Sequence, residues 1–160
     1  MKKRRGILYC LLAASMLVSL TGCSKGGSGT HLLVAHSHNE NHPVHVGLTY
    51  MKDEMEKNTG YTFSIYPNGQ LGGNSDMIQM VKAGVLDVAK VSASSLEQFN
   101  PAYSIFSLPY VFQSTEHYFK VMEESRAVQE IFKSTYDQGF FAVGWYDSGA
   151  RSVYTTKEGP

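Results

Sequence analysis

Histidines cluster in residues 31–45, and the imidazole group of histidine can bind metals or donate hydrogen bonds. Five of the six histidines in the sequence fall in this stretch. Neutral imidazole is a favoured ligand of zinc, copper and nickel, and residues two apart share a face of an extended chain. His36, His38 and His42 therefore form one hypothesis, a zinc site, although neither a helical histidine pair nor a cysteine supports it.

A second chemistry is the binding of an acid or a sugar at the ends of strands. Ser92 and Ser95 follow one predicted strand, and His36 and Ser37 end another. In open α/β sheets, ligands sit outside the carboxyl ends of the strands, where hydroxyl and imidazole groups donate hydrogen bonds. The serines fit the capping of a turn as well, and Trp145 fits either a cleft wall or a core.

Sequence motifs of several enzyme classes are missing. The chain has no Gly-x-Ser-x-Gly, Ser-x-x-Lys, Gly-Lys phosphate loop or His-Glu-x-x-His, which are typical of hydrolases, nucleotide-binding proteins and metalloproteases. We therefore expect a protein that is not an enzyme and that needs no cofactor.

Apolar periodicity predicts a β-α-β-α-β order that would position these groups. Val44, Leu48 and Met51 recur at helical spacing after Pro43, which is typical of one buried helix face. Crossovers through helices build a parallel sheet flanked by helices. The predicted elements are strand 31–36, a helix from Pro43, strand 61–66, a helix with Ser75 as N-cap and Gly84 after its end, and strand 85–91.

The remainder of the chain is predicted to be helical from about 115 to 137, in one or two pieces, and to form a buried strand at 140–146. Residues 152–156 have strand composition and precede a turn-like Lys157-Glu158-Gly159-Pro160. We therefore expect the sequence to be the first half of a longer protein, or a deliberately truncated form of one.

The amino-terminal residues resemble an export signal. Four consecutive cations at residues 2–5 precede an apolar run at 7–20, which is shorter than a membrane span requires. Leu20-Thr21-Gly22-Cys23 resembles the lipobox of bacterial lipoproteins, in which the cysteine receives the lipid. We expect a lipoprotein signal peptide at 1–22 and, because residues 23–30 are rich in glycine and serine, a flexible tether there.

Charge and cysteine content exclude other classes of protein. The 160 residues carry no formal net charge, but beyond residue 22 there are 10 basic and 14 acidic residues. A mildly acidic body disfavours nucleic-acid binding, which needs a basic face. Beyond Cys23 the sequence contains no cysteine, so this part has no disulfide framework.

The order of motifs over residues 31–157 resembles the DctP-like solute-binding subunits of tripartite ATP-independent periplasmic (TRAP) transporters. The resemblance implies a periplasmic-binding-protein-like α/β fold with two lobes that enclose a small organic acid, and delivery of that acid to membrane permease subunits. It implies lobe I at 31–146 and a first crossing strand at 147–160, with the second lobe largely missing. The matching motifs are His42-Pro43, Tyr66-Pro67-Asn68-Gly69-Gln70-Leu71-Gly72, Met77 to Asp87, Ser107 to Phe112, and Gly144-Trp145-Tyr146-Asp147 with Gly149 and Arg151.

The resemblance also implies roles for individual residues. Arg151 matches an arginine that holds the ligand carboxylate, as a planar guanidinium can with two hydrogen bonds. Ser92 and Ser95 match contact positions that are charged in relatives that bind sialic acid, so a sialic acid ligand is disfavoured. His36 and Ser37 match positions that approach the ligand.

Together these observations predict an extracytoplasmic solute-binding lipoprotein, anchored to a bacterial membrane through Cys23, that captures a dicarboxylate or sugar acid for a TRAP transporter. The expected ligand-binding residues are His36, Ser37, Ser92, Ser95, Trp145 and Arg151. The alternative is an exported histidine-rich zinc-binding lipoprotein.

Overall fold

A computed structural model describes residues 29–149 and Thr156, and its centre is a three-stranded parallel sheet. The strands are β1 (His31–His36), β2 (Thr62–Tyr66) and β3 (Val88–Lys90). Their order is β2-β1-β3, so β1 lies in the middle and pairs with both neighbours. The predicted α/β fold with a parallel sheet is confirmed.

Two helices cover opposite faces of the sheet, and they are α1 (Pro43–Asn58) and α2 (Asn74–Lys82). Successive side chains of a strand point to opposite faces. Val34 accordingly packs against Leu48 of α1, whereas its neighbour Ala35 packs in a separate cluster with Met77 of α2. The sheet is therefore buried on both faces, and polar groups lie at the ends of its strands.

The start of α2 differs from the prediction, because Gly73 and not Ser75 is the N-cap. The carboxylate of Asp76 accepts a hydrogen bond from the Gly73 N–H at 2.9 Å, which satisfies a backbone donor at the helix start. Gly72 has a φ of +99°, and a Cβ there would lie 2.8 Å from the Asp76 carboxylate. Glycine is required at this position for both reasons.

β3 is shorter than the predicted strand 85–91. The backbone N–H groups of Val85 and Leu86 donate to the carbonyl of Met80, at 3.0 and 3.3 Å. These two residues therefore complete the end of α2 and are not available for the strand ladder, which starts at Val88.

A second apolar core lies among the helical elements that follow the sheet. The elements that supply its buried residues are a 3₁₀ helix (Pro101–Ser107), α3 (Thr115–Glu124) and α4 (Arg126–Lys133). Tyr103, Met122 and Phe132 are buried together in this core. The helical prediction for this part is confirmed, and it is realised as two helices.

The predicted strand at 140–146 is wrong. Phe141 and Val143 are 49% and 79% exposed, and the Ala142 N–H donates to the carbonyl of Phe132 at 2.9 Å. Within residues 29–149 no strand runs beside this segment, and a strand needs such a partner for its backbone hydrogen bonds.

None of the helices in this part of the chain has the length and apolar character of a membrane span.

Candidate functional site

The carboxyl ends of β1 and β3 form one edge of the sheet, which we call the strand-end site. Its members come from both strands, from the loops that follow them and from the start of α2. His36 and Lys90 are direct register partners at this edge. The residues of the strand-end site are His36, His38, Asn74, Lys90, Ser92 and Ser95.

Ser92 and Ser95 lie together after β3. Their hydroxyl oxygens are 2.9 Å apart, and the amide of Asn74 donates to both, at 3.1 and 3.3 Å. Ser94 also lies 3.1 Å from the Ser92 hydroxyl. The result is a compact group of hydroxyl and amide groups, of the kind that binds sugar hydroxyls.

Asn74 was not among the predicted site residues. The predicted N-cap was Ser75, two residues after the observed N-cap Gly73, so Asn74 was expected to lie in the loop before the helix. The preceding Gly72-Gly73 pair is the signal that locates the turn, since the turn conformation at Gly72 brings the first residue of α2 to the strand ends.

The turn after β2 is held against the same edge through the backbone. The Asn68 N–H donates to the His38 carbonyl at 2.8 Å, and the Gly69 N–H donates to the His36 carbonyl at 3.1 Å. Asn68 and Gly69 have φ values of 58° and 65°, a left-handed conformation that asparagine and glycine tolerate best. The Pro67-Asn68-Gly69 sequence therefore fixes the loop that carries His38.

His36 is fully buried, and both of its ring nitrogens have partners. Nε2 lies 2.9 Å from Nδ1 of His45, and Nδ1 accepts the backbone N–H of His38 at 3.2 Å. A contact between this ring and a ligand would displace one of these partners. The half-buried imidazole at the edge is that of His38, whose Nε2 lies 2.9 Å from Nζ of Lys90.

The geometry does not support the alternative zinc site at His36, His38 and His42. Among the described residues, no three histidine or acidic side chains are grouped to hold a metal ion. The rings of His38 and His42 stack nearly parallel, with centroids 4.0 Å apart, so their nitrogen lone pairs lie in parallel planes and do not converge on one ion. His42 also uses Nδ1 to accept the N–H of Val44 at the start of α1.

Lys90, which was not among the predicted site residues, is the positive group of the strand-end site. No carboxylate forms an ion pair with Lys90 among the described residues. Burial lowers the pKa of Lys90. Burial first, and then the charge of Lys90, lowers the pKa of His38, because a second positive charge beside Lys90 is unfavourable.

Trp145 is half-buried and packs against the second core. Its ring packs against Tyr118 and Phe119 with centroid distances of 5.3 Å in both cases. Ser37 is exposed directly after β1. Arg151 and the lipidation candidate Cys23 lie outside the described residues.

A depression of about 450 Å³ lies on the β2 side of the sheet edge. It is lined by Glu40, His45 and Tyr66 among others, but not by Lys90 or the serines. The carboxylate of Glu40 would repel an acid there. An acid therefore fits the strand-end site better than this depression.

The chain belongs to the bacterial extracellular solute-binding proteins of family 7, whose model matches residues 34–159. A protein of Salmonella typhimurium called YiiZ, described only as uncharacterized, is 38% identical over 149 residues. That alignment covers 92% of this chain and 45% of YiiZ.

Solved structures of TRAP periplasmic solute-binding proteins have the same fold. One from Anaerococcus prevotii, with bound α/β-D-glucuronate, has a TM-score of 0.76 and 39% identity, and covers 81% of this chain. One from Sulfitobacter sp. NAS-14.1, with bound β-D-galacturonate, has a TM-score of 0.68 and 28% identity, and covers 76% of this chain. The shared regions are 42% and 41% of those two proteins, so the chain spans less than half the length of its relatives.

Proposed function

We propose that residues 31–146 form the first lobe of an extracytoplasmic solute-binding protein that captures a sugar acid for a TRAP-type transporter. The observation that carries this proposal is the strand-end site, where a lysine without a carboxylate partner among the described residues lies two positions before a group of hydroxyls. The uronates bound by the two similar structures support the same class of ligand.

A sugar acid matches the two kinds of group at this edge. Lys90 would attract the carboxylate, since a half-buried ammonium interacts with an anion more strongly than a solvated one does. Asn74, Ser92 and Ser95 would contact the ring hydroxyls, and Ser37 would contribute its exposed hydroxyl. A dicarboxylate has no ring hydroxyls. The polar groups of Asn74, Ser92 and Ser95 would then lose water without gaining hydrogen-bond partners, which costs free energy.

The remaining predicted contacts complete the proposal. Arg151, in the crossing strand proposed at 147–160, would hold the carboxylate with two hydrogen bonds when a second lobe closes over the ligand. Buried His36 and half-buried Trp145 would support the site from the residues on which they pack. The closed form is the one that the membrane permease subunits would recognise, and the ligand would be released unchanged, without catalysis.

We further propose that Cys23 is lipidated after removal of residues 1–22, so that residues 23–30 tether the protein to a bacterial membrane. Cells fed radiolabelled palmitate should label the natural protein and the Cys10→Ser variant, because Cys10 lies in the proposed signal peptide. Cys23→Ser should not be labelled. Labelling of Cys23→Ser would contradict the proposal.

The function is tested by titration calorimetry of the complete natural protein with matched ligands. D-Glucuronate and D-galacturonate are compared with D-glucose and D-galactose, which replace the carboxylate by a neutral group, and with succinate, which lacks the sugar hydroxyls. We expect a uronate to bind at least on the order of 100-fold more tightly than its neutral sugar. Equal binding of the neutral sugar, or binding of zinc alone, would overturn the proposal.

A further inference from the structure

The partner of Lys90 is a neutral acceptor. Nζ of Lys90 lies 2.9 Å from Nε2 of His38. An ammonium group has only donors, so Nε2 must be the unprotonated acceptor and the ring proton must lie on Nδ1. The pair therefore requires one particular tautomer of an uncharged His38.

His38 is held on three sides, so the position of its ring is determined before any ligand arrives. Its backbone N–H donates to Nδ1 of His36 at 3.2 Å, and its carbonyl accepts from the Asn68 N–H at 2.8 Å. Its ring stacks on His42, which is itself fixed by the N–H of Val44 at the start of α1. The direction of the Lys90 ammonium follows from these contacts.

Among the described residues, the titratable side chains seen in contact with His38 are all basic. They are Lys90 from β3, His42 from the start of α1 and His36 from β1. Burial, Lys90 and His42 all lower the pKa of His38, which favours the neutral ring. An aspartate or glutamate in place of His38 would hold Lys90 equally well but would cancel its charge.

We infer that His38 is a positioning residue that fixes Lys90 while leaving its positive charge uncancelled for the carboxylate of a sugar acid. This inference rests on the proposed function and extends it to a residue that does not itself need to contact the ligand. It explains why a lysine at a sheet edge is paired with an imidazole, since an acidic partner would compete with an acidic ligand for the same charge.

The test compares His38→Gln with His38→Glu in the complete natural protein. Glutamine provides a neutral acceptor and glutamate an anionic one of almost the same shape. We expect His38→Gln to bind D-glucuronate or D-galacturonate within a few-fold of wild type, and His38→Glu to bind it on the order of 100-fold more weakly. Equal losses in both variants, with unchanged thermal unfolding, would show a merely structural role and overturn the inference.

A second measurement needs no ligand and remains informative if a variant does not fold. Nitrogen-15 NMR of the wild-type protein near neutral pH should show the His38 ring protonated at Nδ1 and unprotonated at Nε2. Lys90→Met should remove this preference, because the donor to Nε2 is lost. Protonation at Nε2 in wild type would overturn the inference, whereas failure of wild type to bind any sugar acid would count against the proposed function and leave the tautomer result standing.

Discussion

Lys52 on α1 and Lys90 at the end of β3 are both held by hydrogen bonds, but their partners differ in charge. Nζ of Lys52 lies 3.1 Å from a carboxylate oxygen of Glu56 and 3.5 Å from one of Asp53. The hydrogen bond to Glu56 raises the pKa of Lys52, whereas burial lowers that of Lys90.

The charge of Lys52 stabilises a helix, whereas the charge of Lys90 is available to a ligand. Lys52 and Glu56 are four residues apart on one helix face, where such surface pairs stabilise a helix only slightly. The hydrogen-bond partner of Lys90 is neutral, so among the described residues no negative charge balances its positive charge. An anion can balance it, and this makes the strand-end site the place to look for an acid.

The largest expected effect comes from removing the charge of each lysine in turn. Lys90→Gln should weaken binding of D-galacturonate or D-glucuronate on the order of 100-fold or more, because an anion held in a partly desolvated site loses its counter-charge. Lys52→Gln removes the same charge from the helix surface and should leave the affinity unchanged. Calorimetry on the complete natural protein measures both, and equal effects of the two variants would remove the distinction between them.

A smaller effect is expected from the hydroxyl group next to Lys90. Ser92→Ala removes the hydroxyl that lies within hydrogen-bond distance of Asn74, Ser94 and Ser95, and should weaken uronate binding about tenfold, the value of one good hydrogen bond. Ser94→Ala is the matched control on the exposed side and should change the affinity less than about twofold. A larger loss from Ser94→Ala would place the ligand on the other side of this loop.

The smallest expected effect is on the pH dependence of thermal stability. It should change in a variant of His38, beside Lys90, but not in a variant of Lys52. The pKa values of His36 and His38 are lowered, chiefly by burial, so the unfolded chain binds more protons than the folded one as the pH falls. Their contribution to stability is complete above the ordinary histidine pKa of about 6.5 and is lost as the pH falls through the lowered values. Thermal unfolding should therefore occur at lower temperature at pH 5 than at pH 7.

His38→Gln replaces one of these rings by a group that does not titrate, so its melting temperature should fall less between pH 7 and pH 5 than that of wild type. Lys52→Gln does not alter the histidines and should follow wild type. Circular dichroism at several pH values measures the three slopes. Identical slopes for His38→Gln and wild type would contradict a role of His38 in the acid sensitivity.

The sheet and the helices could be predicted from the sequence because each has a regular apolar pattern and a partner close along the chain. Val44 and Leu48 of α1 pack on β1 as their spacing predicted. The predicted strand at 140–146 is wrong because an apolar run indicates a buried strand only if another element packs on it. The short β3 depended on hydrogen bonds from Val85 and Leu86 back to α2, which no periodicity reports.

The candidate site was only partly predictable for a related reason. Ser92 and Ser95 could be proposed from the sequence because their place after a strand is a topological property. Lys90 was missed because a lone lysine at the end of an apolar run is usually solvated, and its significance depends on a histidine 52 residues earlier. His36 was preferred to His38 because it ends the strand, whereas burial places His36 inside and His38 at the edge.

The turn after β2 is fastened to the first strand by main-chain groups, through the N–H groups of Asn68 and Gly69 and the carbonyls of His38 and His36. Main-chain contacts persist when neighbouring side chains are exchanged. We therefore expect the backbone of this edge to tolerate new side chains at Lys90, Ser92 and Asn74, so that variants at these positions can be tested with solutes of different charge.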